Sequence, residues 1–338
     1  MSLRPVSNIK QIEKDKPDDL FICCISFEER CINAVNHLSD SYKARRALII
    51  RYLADNEAGL RRKHQEIICG NLFHHIENIQ SIEPEFCDKY NPYGFWYFLE
   101  DSFEENNSIE RITVDITTFT KSYLLSLLKF LRERYPKAII RILYTKGFYP
   151  DDESLTWGVK DITILPRFGG SRLDKKNSIL VLLLGYEDDR AYGILEFIDP
   201  LKTVAIITDP PTYWGAERPA KKFNEAILDH PDTIKNQVSA MNPLETKNKI
   251  SELYNNKEYE DLSFFIAPLG TKMQVVGVYL FFEEEIEFNV GLPRAQIVYA
   301  YPAKYNEKKY TLNYEKEVVW EFYIIPKENK TSKTLGVK

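Results

Sequence analysis

Residues 20–30 have the sequence LFICCISFEER, and residues 178–190 have the sequence SILVLLLGYEDDR. Each stretch is a short apolar run, followed by a loop with one aromatic residue and several acids, and then by an arginine that begins a helical pattern. Short apolar runs that alternate with helical periodicity are typical of a parallel sheet covered on both faces. These two stretches therefore predict the first strand and the first helix of two similar α/β units.

The remaining features of the two halves follow in the same order. Thr120-Lys121 and Thr271-Lys272 each follow the fourth strand of their half. The separation from Arg30 to Lys121 is 91 residues, and the separation from Arg190 to Lys272 is 82 residues. Such a repeat indicates an internal duplication. The fold class predicted is α/β, with two tandem Rossmann-like units, each a mainly parallel sheet with helices on both faces.

The predicted organisation is a first unit over 1–165, a second unit over 178–325 and a flexible tail over 326–338. Residues 166–177 separate the units because Gly, Pro and charged residues replace the apolar pattern there. Strands are predicted in the first half at 20–25, 47–52, 111–116 and 138–144, and in the second half at 178–184, 203–208, 262–267 and 295–301; the last two of each half are counted as its fourth and fifth strands.

Composition and charge narrow the classes of partner. The net charge is -5 and the pI is near 5.7, so the protein lacks the basic field that favours long duplex nucleic acid, and we do not expect that partner. A small anionic ligand remains compatible, because helix N-termini and local cations hold phosphate. The five cysteines lack the paired spacing of a zinc or disulfide framework, and no apolar run is long enough to span a membrane. We expect a cytoplasmic protein with reduced thiols, no membrane contact and no metal or cofactor.

The two Thr-Lys pairs are the first candidate binding elements. Each lies where a strand stops and a helix starts, so a hydroxyl, free backbone N–H groups and an ammonium converge on a spot the size of a phosphate. The alternative is a helix-capping threonine followed by an exposed lysine that contributes little to stability. The residues predicted to bind ligand in the loops after the fourth and fifth strands are Thr118, Thr120, Lys121, Lys146, Gly270, Thr271, Lys272 and Lys304.

The acidic loops after the first strands are the second candidate. An aromatic ring, carboxylates and a guanidinium within a few residues are suited to stacking a base, accepting its hydrogen bonds and pairing with phosphate. Acids at a helix N-terminus are also favoured without any ligand. The residues predicted to bind ligand here are Phe27, Arg30, Tyr186, Glu187 and Arg190, and both arginines are expected to face one shared cleft.

Two further segments carry weaker signals. The stretch Val114-Asp115-Ile116-Thr117-Thr118 resembles the phosphoribosyl-pyrophosphate loop of phosphoribosyltransferases, with Phe119 where that loop has a small residue. Residues 209–215, DPPTYWG, form a rigid loop that either walls the pocket or packs as a surface turn. If the protein is an enzyme, its candidate catalytic residues are Glu28, Glu29 and Asp115.

With loops built around a [Ser/Thr/Gly]-Thr-Lys element after the fourth strand, each half resembles the CARF domains of CRISPR-associated sensors. The arrangement of both in one chain is similar to the SAVED domains of bacterial anti-phage systems. The resemblance implies that a nucleotide or cyclic oligonucleotide messenger is bound between the carboxyl edges of the two sheets. It further implies that Thr120, Lys121, Thr271 and Lys272 contact its phosphates or ribose, with Arg30 and Arg190 nearby.

Two functions therefore compete. One is a sensor subunit that binds a nucleotide messenger in anti-phage defence and acts on a separate effector protein, since no effector segment is recognised in the sequence. The other is an enzyme that acts on a nucleotide or sugar phosphate, either phosphoribosyltransferase-like or a nucleotide hydrolase, through its acidic loops. Turnover separates them, because a sensor returns its ligand intact.

Overall fold

The structure is a computed structural model that describes residues 3–53, 58–77, 84–88, 90–103, 108–150, 153–213, 215–286, 293–308 and 310–326. The predicted tail therefore lies, apart from its first residue, outside the described residues. The strands are β1 (Arg4–Val6), β2 (Asp18–Ile25), β3 (Ala44–Tyr52), β4 (Pro84–Cys87), β5 (Arg111–Asp115), β6 (Ile139–Tyr144), β7 (Gly147–Phe148), β8 (Thr156–Ile164), β9 (Ser178–Leu183), β10 (Lys202–Thr208), β11 (Thr233–Val238), β12 (Ser263–Pro268), β13 (Ala295–Tyr305), β14 (Asn313–Tyr314) and β15 (Val319–Ile324).

Helices follow most of the parallel strands. They are α1 (Asn33–Asn36), α2 (Ala58–Phe73), α3 (Pro92–Ser102), α4 (Lys121–Arg134), α5 (Asp188–Ile198), α6 (Glu217–Phe223), α7 (Glu225–Leu228), α8 (Pro243–Tyr254) and α9 (Lys272–Phe281). None of the helices in the described part of the chain combines the length and the hydropathy needed to cross a membrane.

Both large sheets have the same parallel core. The first has the strand order β1-β15-β6-β5-β2-β3-β4, and the second has the order β11-β10-β9-β12-β13-β8. Within them, β2 to β6 pair in parallel, and so do β9 to β13. Counted from its own first strand, each parallel core has the Rossmann order 3-2-1-4-5. The predicted fold class is confirmed.

Each parallel core is extended by a strand from the other side of the predicted boundary. β8, which lies in residues 1–165, pairs antiparallel with β13 of the second sheet. β15, which lies in residues 178–325, pairs antiparallel with β6 of the first sheet. The division into two units stays a prediction. One strand from each side of the predicted boundary belongs to the sheet on the other side.

Apolar packing joins the two sheets through their central helices. α4 and α9 pack against each other, α3 packs on α4, and α8 packs on α9. One continuous core includes Val114 of the first sheet, Leu128 of α4, Val276 of α9 and Val181 of the second sheet. Separate clusters cover the outer face of each sheet. Because α4 and α9 lie side by side between the sheets, their N-termini are brought together at one edge of the molecule.

The third strand of each parallel core was missed by the sequence pattern. β11 has the sequence TIKNQV and is largely half-buried or exposed, as expected of an edge strand whose polar residues face solvent. β4 is likewise at an edge and has only four residues. The first, second, fourth and fifth strands of both halves begin and end within a few residues of their predicted bounds, because each contains a buried, mainly apolar run.

Candidate functional site

Four loops meet where the carboxyl ends of the two sheets face each other. They follow β2 and β5 of the first sheet and β9 and β12 of the second, and in each sheet these two strands flank the point where the strand order reverses. Open α/β sheets bind their ligands at that point. Two adjoining clefts lie here, with about 620 and 660 Å³ of space including their mouths. We call them the first cleft and the second cleft.

The two clefts have a set of lining residues in common, which we call the shared wall. It consists of Lys121, Glu187, Lys272 and Tyr310. The two lysines occupy equivalent positions, since each is the first residue of the helix after the fourth strand of its parallel core. Each follows an extended threonine, with φ/ψ of -65°/149° at Thr120 and -69°/162° at Thr271.

The two helix N-termini are capped differently. The Thr271 hydroxyl accepts a hydrogen bond from the Gln274 backbone N–H, and the Gln274 side chain accepts one from the Thr271 N–H, which forms a capping box. Thr120 makes no side-chain cap, and its N–H donates to the Tyr52 hydroxyl at 3.0 Å. Thr271 therefore stabilises its own helix, as the capping alternative predicts, while Thr120 leaves its helix end open towards the first cleft.

Lys121 of the first half forms an ion pair with an acid of the second half. Its ammonium donates to Glu187 Oε2 at 3.0 Å and to the Leu269 carbonyl at 2.6 Å. Arg190 donates to the same carboxylate oxygen at 2.6 Å. Burial acts to raise the pKa of Glu187, but the charges of Arg190 and Lys121 outweigh it and lower that pKa to about 2. This carboxylate stays ionised, and two cations hold its Oε2 atom.

Lys272 differs from Lys121 because no hydrogen-bond or ion-pair partner for it exists among the described residues. Its side chain is only 8% exposed, and it lines both clefts. Burial, together with the nearby charge of Arg30, lowers the pKa of Lys272 from its ordinary 10.5 to about 7. The attraction of Glu28 opposes this shift without cancelling it. An unpaired buried cation is costly in free energy, and an anion beside it would offset that cost.

The alternative of a capping threonine followed by an exposed lysine is therefore wrong about both lysines. Lys272 is buried, and the Lys121 side chain is 14% exposed. The close packing of α4 against α9 accounts for the burial, because the N-terminus of each helix is covered by loops of the other half.

The two arginines after the first strands are both held by carboxylates of their own loops. Arg30 donates to Glu28 Oε2 at 2.8 Å and to the Thr145 carbonyl at 3.2 Å, and it is fully buried. Arg190 pairs with Glu187 and lines the first cleft, whereas Arg30 lines neither cleft. Arg30 thus lies behind the cleft surface, where it supports the loop that carries Glu28.

The other residues predicted to bind ligand divide into three groups, which line the first cleft, the second cleft or neither cleft. Thr118, Thr120 and Phe27 line the first cleft, and Tyr186, Gly270 and Thr271 line the second. Lys146 and Lys304 line neither. Lys146 pairs with Glu315 and lies 4.0 Å from the Trp320 ring centre, and Lys304 is exposed beside the Trp157 ring.

The candidate catalytic acids are not presented to the clefts as free carboxylates. Glu29 is exposed, Asp115 is buried, and neither lines a cleft; Asp115 accepts a 3.0 Å hydrogen bond from the Thr117 N–H. Burial raises the pKa of Asp115 to about 6. Glu28 lines the first cleft, and its Oε2 accepts hydrogen bonds from Arg30 and Thr311. No group of three or more potential metal-ligating side chains occurs within the described residues.

Two glycines allow these loops to approach each other. A Cβ atom at Gly185 would lie 2.3 Å from the Leu269 carbonyl oxygen, and one at Gly270 would lie 2.0 Å from the Gln274 amide oxygen. Real Cβ atoms do not approach so closely. Gly185 therefore brings the loop after β9 against the loop before α9, which places Glu187 within reach of Lys121.

The loop at residues 209–215 contributes one described residue to the lining of the clefts. Thr212 lines the second cleft, and the Tyr213 hydroxyl bonds to the backbone N–H and carbonyl of Tyr149. Trp214 lies outside the described residues. This loop therefore closes one side of the second cleft through its contact with the connection after β7.

Sequence reasoning missed several cleft residues that come from distant parts of the chain. Arg61 lies on α2 and Tyr52 ends β3, while Tyr299 and Tyr305 belong to β13 and Tyr310 follows it. Tyr299 and Tyr305 lie in the stretch repeated after the fifth strand, from which the prediction took Lys304 instead. Arg61, Tyr52 and Tyr310 lie in no repeated loop, so no local pattern marked them. Only the path of the chain from β13 back to the first sheet brings Tyr310 over the site.

Comparison with known proteins gives distant likenesses only. No family model matches the chain, and no curated protein matches it. Among solved structures, it is similar to a type III CRISPR defence DNA nuclease activated by cyclic oligoadenylate, with 11% identity and a TM-score of 0.48 over 78% of this chain and 63% of that one. It is also similar to an N-terminal ketoreductase from the macrolactin assembly line, with 12% identity and a TM-score of 0.23 over 87% of this chain and 72% of that one. The chain thus spans less than two thirds of the nuclease's length. The resemblance to CARF and SAVED proteins stays a prediction.

Proposed function

We propose that this protein binds a phosphorylated nucleotide in the two clefts and acts in anti-phage defence as a sensor of that nucleotide for a separate effector protein. The observation that carries the proposal is Lys272, a cation that is buried in the wall between the clefts and lacks any partner among the described residues. A phosphate beside Lys272 supplies the missing charge, and the N-termini of α4 and α9 supply N–H groups and dipoles of the same sign.

The balance of charge in the clefts supports an anionic ligand. Within the described chain, four cationic side chains and two carboxylates line the clefts. The cations are therefore in excess although the whole molecule is acidic. Tyrosine and phenylalanine rings make up much of the remaining surface, and such rings stack on bases. Together these groups are suited to a ligand that has both a phosphate and an aromatic ring.

Binding without turnover is the function that the carboxylates support best. An efficient general base has a pKa near the working pH. The pKa values of Glu187 and Glu28 are lowered, because Arg190 and Lys121 hold Oε2 of the first and Arg30 holds Oε2 of the second, and Asp115 lines neither cleft. We therefore assign the acids to positioning the cationic side chains.

The exchange of strands provides a route from ligand to partner. The ligand site lies between the sheets, and β8 and β15 each tie one half to the sheet of the other. A ligand that draws the loops together therefore shifts both sheets at once. An effector would detect this shift at the outer edges of the sheets.

The ligand is identified by mass spectrometry of small molecules released from the purified, heat-denatured protein. We expect a phosphorylated nucleotide of unchanged structure from the wild type and none from Lys272→Ala. Lys202→Ala is the matched control, because Lys202 is exposed at the opposite end of β10. Equal amounts of nucleotide from Lys272→Ala and from wild type would contradict the site, and a converted nucleotide would favour the enzyme.

The role in defence is tested separately by phage challenge of cells that carry the protein with its genomic neighbours. Lys272→Ala should remove protection at unchanged protein level, whereas Lys202→Ala should keep it. If protection is unaffected by Lys272→Ala, the nucleotide site does not serve defence.

A further inference from the structure

The two clefts differ in their chemistry although they arise from similar halves. Beyond the shared wall, the first cleft is lined by the charged residues Glu28, Arg61 and Arg190. Beyond the same wall, every described residue that lines the second cleft is uncharged, and tyrosine, threonine, leucine and alanine predominate. A ligand that fills both clefts therefore meets cations at one end and a neutral surface at the other.

Two guanidinium groups of the first cleft have hydrogen-bond donors in excess. Arg61 is 4% exposed; its Nη2 donates to Glu307 at 2.8 Å, while its Nη1 has no acceptor among the described residues. Arg190 is 1% exposed and likewise has an Nη2 without an acceptor. Buried polar groups of folded proteins almost always have partners, and an unmade bond to a charged group is expensive. Both guanidinium groups line the first cleft, which Lys272 also lines.

On the basis of the nucleotide binding proposed above, we propose that the ligand is a single nucleoside with a chain of two or more phosphates. The base and sugar occupy the second cleft, the first phosphate lies at Lys272, and the following phosphates extend into the first cleft towards Arg190 and Arg61. Arg61 is then the residue that determines the preference for a long phosphate chain.

The second cleft is suited to the uncharged end of such a ligand. Tyr149 and Tyr186 lie edge to face there, with ring centres 5.6 Å apart, and a base stacks on rings of this kind. The hydroxyls of Thr208 and Thr212 also line this cleft. A second phosphate at this end would meet no cation beyond the shared wall, so its loss of hydration would go uncompensated.

The experiment is a series of binding measurements by calorimetry with AMP, ADP and ATP and with GMP, GDP and GTP, in the presence of EDTA. We expect the wild type to bind at least one triphosphate roughly tenfold or more tightly than its monophosphate, since a charge-assisted hydrogen bond to phosphate has about that effect. Arg61→Met should reduce this ratio by a similar factor while the affinity for the monophosphate is kept.

The ratio of triphosphate to monophosphate affinity separates recognition from folding, because a merely damaged protein loses both affinities together. Arg62→Met is the matched control, since Arg62 is the neighbouring residue on α2 and its side chain is 80% exposed. Arg61→Lys, which keeps the charge and the reach to Glu307, should restore only part of the ratio because it lacks the second nitrogen.

The outcomes distinguish this inference from the proposed function. Monophosphates and triphosphates that bind equally would overturn the inference and leave nucleotide binding intact. A two-base ligand, such as a linear or cyclic diadenylate, that binds more tightly than every triphosphate would also overturn it. No binding of any nucleotide, combined with none released on denaturation, would overturn both.

Discussion

Replacing Lys272 with methionine should stabilise the ligand-free protein, and the gain should be largest at acid pH. Methionine has nearly the same length and no charge, so it keeps the packing and removes the unpaired ammonium. Lowering the pKa of Lys272 from 10.5 to about 7 corresponds to a cost of roughly 5 kcal/mol in the free energy of unfolding, at about 1.4 kcal/mol for each tenfold change in proton affinity. That figure is an upper bound, because the side chain relaxes towards water in the cleft.

The sign of the pH dependence follows from which state holds the proton. Below about pH 7 the lysine is charged in both the folded and the unfolded chain, and the whole cost is present. Between about pH 7 and 10.5 only the unfolded chain keeps the proton, so the wild type becomes more stable as pH rises. The difference between Lys272→Met and wild type should therefore be largest near pH 6 and should shrink towards zero by pH 10.

The assay is urea-induced unfolding of both proteins at pH 6, 7, 8, 9 and 10, with the difference between variant and wild type taken at each pH. Lys121→Met is the comparison variant: burial lowers the pKa of Lys121 as well, but this variant also loses the bonds to Glu187 and Leu269, so it should gain less stability than Lys272→Met. If Lys272→Met proves less stable than wild type at pH 6, or differs from it equally at pH 6 and pH 10, the buried lysine is not an unpaired cation.

Four further outcomes are expected. Phosphate binding restores the ordinary pKa of Lys272, so nucleotide binding at pH 8 should take up a fraction of a proton, seen as a dependence of the binding enthalpy on the buffer's ionisation enthalpy, and uptake should vanish at pH 6. Gly185→Ala should destabilise the protein by about 1–3 kcal/mol, as measured by denaturation, because its Cβ would strike a backbone oxygen. Gly70→Ala, on an exposed helical site with open space, should instead stabilise it by about 0.5–1 kcal/mol. Arg30→Met should cost about 3–5 kcal/mol of stability because it leaves Glu28 buried with fewer partners, and a variant that folds normally but fails to bind nucleotide would give Arg30 a direct role.

Parts of the candidate site could be predicted from sequence because they repeat. Thr120-Lys121 and Thr271-Lys272 are local strand-to-helix junctions, and both lie at the site. The sequence pattern also identified Glu187 and Arg190 as site residues. It could not tell that Lys121 pairs with Glu187, because these residues are 66 positions apart and belong to different halves.

The amino-acid sequence by itself determined the local structure: which runs are buried strands, where the helices after them begin, and that the pattern occurs twice. Apolar periodicity specifies which face of an element is buried, and this is a property of neighbouring residues. Only the tertiary structure decided that β8 and β15 are exchanged between the sheets, that α4 and α9 pack together, and that Lys272 is left without a partner. These features depend on contacts between surfaces that are far apart in the sequence. Such contacts determine the burial of a side chain and hence its pKa.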